Sequence, residues 1–147
     1  MSTGYWHTGI TVSDAARTAE YFRTVLGLEI SEPYDLAEET SSTVTGVKGA
    51  KLRAIFASND AITIEILQYA TSGPAADASP PDRVGAAHIA LIVDDLDRVL
   101  AQGAKWGRRL MAGIHQSVAG PRKGWRICYT VDGDGIVIEF AQPAPAA

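Results

Sequence analysis

Cysteine is nearly absent from this chain of 147 residues. With Cys128 alone, an internal disulfide framework and a zinc site built on several thiolates are both excluded. Long apolar runs are missing too, and none approaches the roughly 20 residues that a membrane-spanning helix needs. The opening Met1-Ser2-Thr3-Gly4-Tyr5-Trp6-His7 has no basic region followed by an apolar one, so no secretory leader is expected. Positive charge is scarce: 13 Lys+Arg stand against 17 Asp+Glu, a formal net charge of -4, with no basic cluster. Nucleic acid and anionic membrane surfaces are therefore not expected partners. No glycine-rich phosphate cradle is present, and Gly133-Asp134-Gly135 reads as a hairpin turn. The remaining expectation is a soluble, cytoplasmic chain forming one domain. A chain of about 150 residues is long enough to bury close to 70% of its unfolded surface.

What the chain does have is an internal repeat. His7-Thr8-Gly9-Ile10-Thr11-Val12-Ser13-Asp14 matches His88-Ile89-Ala90-Leu91-Ile92-Val93-Asp94-Asp95, and Ile64-Glu65-Ile66-Leu67-Gln68 matches Ile138-Glu139-Phe140-Ala141-Gln142. The two matches keep their order, and each carries the same ionisable residue. They argue for a duplicated module of about 65 to 70 residues.

Each module reads as βαβββ. His7–Val12 alternates as a strand does, and Ser13-Asp14 can cap a helix running to about Leu26, stopped by Gly27. Ala16, Ala19, Tyr21, Phe22, Val25 and Leu26 fall largely on one stripe of that helix. Strands are expected at Leu28–Tyr34, Lys51–Ala57 and Ala61–Tyr69, while Leu36–Val47 is ambiguous between helix and strand. The second module repeats the order: strand Ala87–Val93, helix Asp95–Ala104, then strands near Arg108–Ala112, Trp125–Val131 and Gly135–Ala141. The expected organisation is one domain spanning 1–147: module 1 over about 5–69, a Pro-rich linker over 70–85, module 2 over about 86–142, and a disordered tail over 143–147.

Strand parity locates the chemistry. Ile62, Ile64 and Ile66 share one face, and Thr63, Glu65 and Leu67 the other; Ile136, Ile138 and Phe140 likewise oppose Val137, Glu139 and Ala141. The bulky face suits packed helices. The opposite face combines small residues (Gly9, Thr11, Thr63, Ala90, Ala141) with His7, Glu65, His88 and Glu139, and so reads as a cavity lining. A carboxylate inside Ile62-Thr63-Ile64-Glu65-Ile66-Leu67 is costly to bury unless it is paired, hydrogen-bonded or metal-bound. If the modules pair about a pseudo-twofold axis, two imidazoles and two carboxylates can converge on one divalent ion: Zn, Ni, Co, Mn or Fe.

The duplicated pattern resembles the vicinal oxygen chelate superfamily, which comprises glyoxalases, bleomycin-resistance proteins and dioxygenases. The likeness covers Trp6 to Gln142, clearest in the two His segments, in Tyr21-Phe22-Arg23-Thr24-Val25-Leu26-Gly27-Leu28-Glu29, and in Asp132-Gly133-Asp134-Gly135-Ile136-Val137-Ile138-Glu139. Gly133 stands where the family often has Pro. The resemblance implies an α+β fold. Its two tandem βαβββ modules would form a curved mixed sheet around a central metal and substrate cavity, with helices on the convex side. It also implies a homodimer, and assigns His7, Glu65, His88 and Glu139 to the four metal-ligand positions.

The ligand set is similar to that of glyoxalase I, which implies a lyase or isomerase/epimerase moving a proton beside the carbonyl of a small α-oxygenated substrate. Methylmalonyl-CoA epimerases are similar but usually carry Gln in place of Glu65. Glu65 and Glu139 are the expected base and acid, their order left open. A non-catalytic antibiotic-binding resistance protein of the same fold is the alternative, and an Fe(II) ring-cleaving dioxygenase the third reading, since a fourth ligand would block its open position. Thr11, Thr63, Trp125 and Tyr129 are weaker pocket candidates, although packing is the simpler role for Trp125 and Tyr129. Arg122, Lys123 and Arg126 read as a solvated basic loop, His115 as an exposed histidine, Cys128 as a buried small residue and Trp106 as core. Trp6 reads as lining the mouth or packing at a dimer interface.

Overall fold

In the computed structural model of the protein, which describes residues 3–70, 73 and 79–145, both long helices start for the same chemical reason. The first N–H groups of a helix have no carbonyl partner, and a carboxylate just before the helix accepts from them. Asp14 Oδ1 accepts from Arg17 N at 2.9 Å to open α1 (Ala15–Leu26), and Asp95 Oδ1 accepts from Arg98 N at 2.9 Å to open α3 (Leu96–Lys105). A second acceptor comes from the sheet: Gln68 Oε1 takes Ala15 N at 2.9 Å, and Gln142 Oε1 takes Leu96 N at 3.0 Å. Gln68 and Gln142 end the two matched segments, so the repeat preserves the joint between helix and strand. Gly27, at φ 71, closes α1 in the left-handed conformation that favours glycine.

The chain divides into two units, Met1–Pro74 and Ala75–Ala147. The first holds β1 (Thr8–Thr11), α1, β2 (Glu29–Ile30), β3 (Tyr34–Leu36), α2 (Glu38–Thr45), β4 (Leu52–Ser58) and β5 (Thr63–Tyr69). The second holds β6 (Ile89–Ile92), α3, β7 (Arg109–Leu110), β8 (His115–Gln116), β9 (Arg126–Val131) and β10 (Val137–Gln142). Each unit forms a five-stranded mixed sheet of the same topology. The orders are β1-β5-β4-β2 with β3 also on β4, and β6-β10-β9-β7 with β8 also on β9. The first strand of each unit runs parallel to the last, and the other pairs are antiparallel.

The α+β class and the two-module plan therefore hold, with two differences in detail. Each module makes its own sheet, and the expected strand Leu28–Tyr34 is split into β2 and β3. Pro33 lies at the break, where it has no N–H to donate to the ladder. Its counterpart in the second unit is split into β7 and β8, so β8 lies outside the expected strand near Arg108–Ala112. The ambiguous stretch is helical over Glu38–Thr45. Glu38 and Glu39 complement its N-terminal dipole, Gly46 caps it at φ 74, and the β-branched Thr43, Val44 and Thr45 are exposed, with no strand neighbour to reward them.

Parity is obeyed. Ile64, Ile66, Ile138 and Phe140 are buried, together with Ala19, Tyr21, Phe22 and Val25 of α1; on the alternate face Glu65 and Glu139 are half-buried beside the exposed Gly9 and Ala90, while Ala54, Val131 and Val137 of that face are buried. On α1, Ala15 rather than Ala16 joins the core, and Trp106 is half-exposed beyond the C-terminus of α3 instead of packing in the core. Part of the expected linker (71–72 and 74–78) and of the expected tail (146–147) lies outside the described residues. Within the tail, Ala144 packs on Gly124, where an added Cβ would come within 2.8 Å.

The turn before β10 is an Asx turn fastened by a buried arginine. Asp132 Oδ1 accepts from Asp134 N (3.1 Å) and Ile136 N (2.9 Å), and Oδ2 pairs with the buried Arg108 guanidinium, which also donates to Ile136 O at 3.0 Å. Asn59 makes the equivalent turn in the first unit, accepting from Ala61 N and Ile62 N, without an arginine. Asp132→Ala should cost about 3 kcal/mol of unfolding free energy, since it frees two N–H groups and removes the carboxylate partner of a buried guanidinium. Asp132→Asn keeps the turn acceptor and should lose roughly half as much. Urea unfolding reads both, and equal losses would contradict this division of roles.

Candidate functional site

Each unit brings its own histidine and glutamate together. In the first, parallel pairing sets Gly9 opposite Glu65 and Thr8 opposite Ile64, so His7 enters just ahead of β1 beside the carboxylate. His7 Nε2 lies 3.1 Å from Glu65 Oε2. In the second, Ala90 is opposite Glu139 and Ile89 opposite Ile138, and His88 Nε2 lies 3.0 Å from Glu139 Oε2. Gly9 and Ala90 keep the neighbouring position small: a Cβ on Gly9 would already touch the Leu67 side chain at 3.8 Å and Glu65 Oε2 at 4.0 Å.

The surroundings of the two pairs differ. In the first unit Phe56 stands opposite Glu65, with its ring 5.9 Å from that of His7 and 5.8 Å from that of Tyr34, against which it stacks. The Tyr34 hydroxyl donates to Glu65 Oε1 at 3.0 Å, so both oxygens of this carboxylate are engaged. The approach to His7 is tied down by Tyr5, whose hydroxyl donates to Thr63 O at 3.0 Å and contacts Thr8 Oγ1 at 3.1 Å. Trp6 is exposed and edge-on to His7 at 4.5 Å. His7 Nδ1 is buried with no hydrogen-bond partner among the described residues.

In the second unit Tyr129 stands opposite Glu139, at the position that Phe56 holds in the first. Its ring lies 4.9 Å from His88, and its hydroxyl is 3.4 Å from His88 Nε2. Glu139 is thus met by a phenol from the adjacent strand, Tyr129, whereas Glu65 is met by Tyr34 from β3. A cavity of about 160 Å³ lies beside His88 and Tyr129, walled by Pro81, Ala86, Ala87 and Val137. A larger opening of about 460 Å³ in the first unit, lined by Asp35, Lys51, Arg53 and Gln68 among others, includes none of the expected site residues.

Of the weaker candidates, Thr63 and Thr11 stand on the open face of the first unit. Trp125 is half-buried beneath the Arg122 guanidinium, 5.7 Å from its ring centre. Arg126 is not part of a free basic loop, because it is bound to Asp97 at 2.8 Å. Cys128 is buried, and desolvation pushes its thiol above the ordinary range. Sequence reasoning missed Tyr34, Phe56 and Tyr5. Tyr34 reaches Glu65 across β4, a cross-strand relation without a local signal. Phe56 could have been found by placing Lys51–Ala57 antiparallel to the glutamate strand.

The donors suit a divalent metal ion. Imidazole nitrogen and carboxylate oxygen bind such ions at about 2.0–2.2 Å, which sets two ligands about 2.9 Å apart at a right angle and about 3.4 Å apart at the tetrahedral angle. The separations of 3.1 and 3.0 Å fall in this range. Among the described residues no group of three or more His, Cys, Asp or Glu side chains is gathered; each unit contributes a pair. No helix among the described residues is long and apolar enough to cross a membrane.

Residues 6–129 match the sequence profile of the Glyoxalase/Bleomycin resistance protein/Dioxygenase superfamily. The chain belongs to this superfamily. The match ends before β10 and therefore before Glu139. A crystal structure of a glyoxalase family protein from Bacillus cereus is similar over 98% of this chain and 99% of its own, with a TM-score of 0.80 and 20% identity. The fosfomycin resistance protein FosX from Mesorhizobium loti is similar over 95% and 91%, with a TM-score of 0.59 and 21% identity. A mutant of glyoxalase I from Zea mays matches 94% of this chain but 44% of its own, with a TM-score of 0.65 and 18% identity. At such identities these superfamily structures show a shared fold. Among curated proteins no relative matches.

The two site phenols provide a direct test of this geometry. Burial first, then the hydrogen bond and charge of Glu65, push Tyr34 above the ordinary tyrosine value; burial first, then the charge and hydrogen bond of Glu139, do the same for Tyr129. In a spectrophotometric titration, Tyr34→Phe and Tyr129→Phe should each remove a component ionising above about pH 10. Loss of a component at or below that value would contradict the packing described.

Proposed function

We propose that the protein is a metal-dependent lyase or isomerase/epimerase that moves a proton on the carbon beside a carbonyl of a small α-oxygenated compound. The observation that carries this reading is the pairing of His with Glu at 3.0–3.1 Å, made twice on open sheet faces kept clear by Gly9 and Ala90. His7, Glu65, His88 and Glu139 would together hold one divalent ion: Zn, Ni, Co, Mn or Fe. When bound, such an ion supplies Lewis acidity for oxygens next to the reacting carbon.

The residues divide the remaining work unequally. Glu65 is held at both oxygens, by His7 and by the Tyr34 hydroxyl, which suits a fixed ligand. Glu139, paired with His88 beside the cavity of about 160 Å³, is the proton carrier: it takes the proton from the substrate carbon and returns it to that carbon or its neighbour. Tyr129, beside His88 and Glu139, orients the substrate oxygen with its hydroxyl. The proposed assembly is a homodimer, supported by the family resemblance and by the exposed Tyr5 and Trp6 rings that an interface would cover.

Protein purified without a histidine tag should carry about one divalent ion per chain, by elemental analysis. Incubated in deuterated water with hydroxyacetone and related α-hydroxy carbonyl compounds, it should incorporate deuterium next to the carbonyl. Glu139→Gln should slow incorporation by about 100-fold or more, the usual scale of a lost general base. An absence of metal, together with ligand binding unchanged in Glu65→Gln and Glu139→Gln, would replace this reading with that of a non-catalytic binding protein.

A further inference from the structure

The open faces of the two sheets carry opposite electrostatics along their outer edges. Directly opposed residues on neighbouring strands point to the same side of a sheet. Glu65 is paired with Phe56, and Glu139 with Tyr129, so β4 and β9 can be compared position by position. Two residues beyond the glutamate level, Ser58 is flanked by Glu29 in the first unit, and Val131 by Arg109 in the second. Two residues short of it, Ala54 is flanked by Tyr34, and Ile127 by His115. Four residues short stand Leu52, flanked by Leu36, and Trp125, whose carbonyl accepts from Ser117 N at 2.8 Å.

The first unit thus presents an acid, a phenol and leucines. The second presents Arg109, His115 and an aromatic shelf with the Arg122 guanidinium 5.7 Å above it. Arg109, His115 and Arg122 are exposed, and among the described residues neither arginine is paired with a carboxylate. Arg126, one residue from the shelf, belongs to the opposite face and is committed to Asp97. A guanidinium stacked on indole keeps its N–H donors directed outward, a common arrangement for gripping carboxylate or phosphate oxygens.

We propose that this edge of the second unit is an oxyanion-recognition edge, and that the compound taken by the site is an anion carrying a carboxylate or a phosphate. His115 with Arg122 on Trp125 meets that group on one side of the glutamate, and Arg109 forms a second, separate oxyanion subsite on the other. At about 3.3 Å per residue, these positions lie about 7 Å to one side and about 7 to 13 Å to the other side of the Glu139 level. An anionic group at this distance holds the molecule without contacting the reacting carbon. The link between this edge and the reacting groups rests on the function proposed above, whereas the edge itself rests on the register.

Calorimetric titration of the full chain as purified, with inorganic phosphate and with sodium acetate, tests the edge without knowledge of the substrate. Each arginine serves its own subsite, so Arg109→Gln and Arg122→Gln should each remove one of the anion-binding events and the double variant both, with Arg23→Gln on α1 as an unchanged control. Binding of phosphate alone or of acetate alone, lost in the double variant, assigns the preferred oxyanion and supports the proposal. Binding of neither anion, or equal binding by the wild type and the double variant, overturns it. Metal content measured on the same samples separates the two readings. An edge that binds anions in protein unable to hold metal leaves this proposal standing and removes the catalytic one; metal retained without anion binding does the reverse.

Discussion

A carboxylate in the middle of a strand must be given a partner, and much of this structure follows from meeting that need twice. Glu65 and Glu139 sit between buried isoleucine and phenylalanine neighbours, on strands whose other face is packed under a helix. Parallel pairing of the first strand of each unit with the last brings a histidine to each carboxylate. The glycine or alanine directly opposite the glutamate keeps the space beside it open. Near their ends the same strands carry Gln68 and Gln142, which accept from the first N–H of each helix. One strand therefore aligns both the helix and the acid.

Duplication supplied two similar frames, and divergence then made them different. In the first, an apolar ring opposite the glutamate and a phenol from β3 fasten the carboxylate. In the second, the phenol stands opposite the glutamate itself, and the place of Tyr34 is taken by His115. The turn that launches the last strand shows the same history. Both units use a side-chain oxygen to bind two backbone N–H groups, but only the second adds a buried guanidinium. A rigid scaffold with unequal decoration suits a superfamily whose members share a fold and differ in chemistry.

Much of the fold was legible because it rests on local signals. Asp14 and Asp95 are strong helix caps, Gly27 is a strong stop, and the alternation around Glu65 and Glu139 has the period of a strand. The split of Leu28–Tyr34 was harder to see, although Pro33 offered a reason. The helix at Glu38–Thr45 turned on capping overriding the β-branched composition of Thr43, Val44 and Thr45. Trp106 was misread because an apolar side chain after a helix looks like core whether or not anything covers it.

His7, Glu65, His88 and Glu139 were legible as a set because the repeat marked them and parity put them on one kind of face. Residue spacing alone therefore determined the two-module plan, the extents of the two long helices and the face on which the acids stand, since all three depend on periodicity and near neighbours. Which groups surround each pair was decided only by tertiary structure. The contacts of Tyr34 with Glu65, Phe56 with His7 and Tyr129 with His88 join residues on different strands, dozens of positions apart. Their meeting depends on the register of both the parallel and the antiparallel strand pairs, a relation that no local pattern encodes.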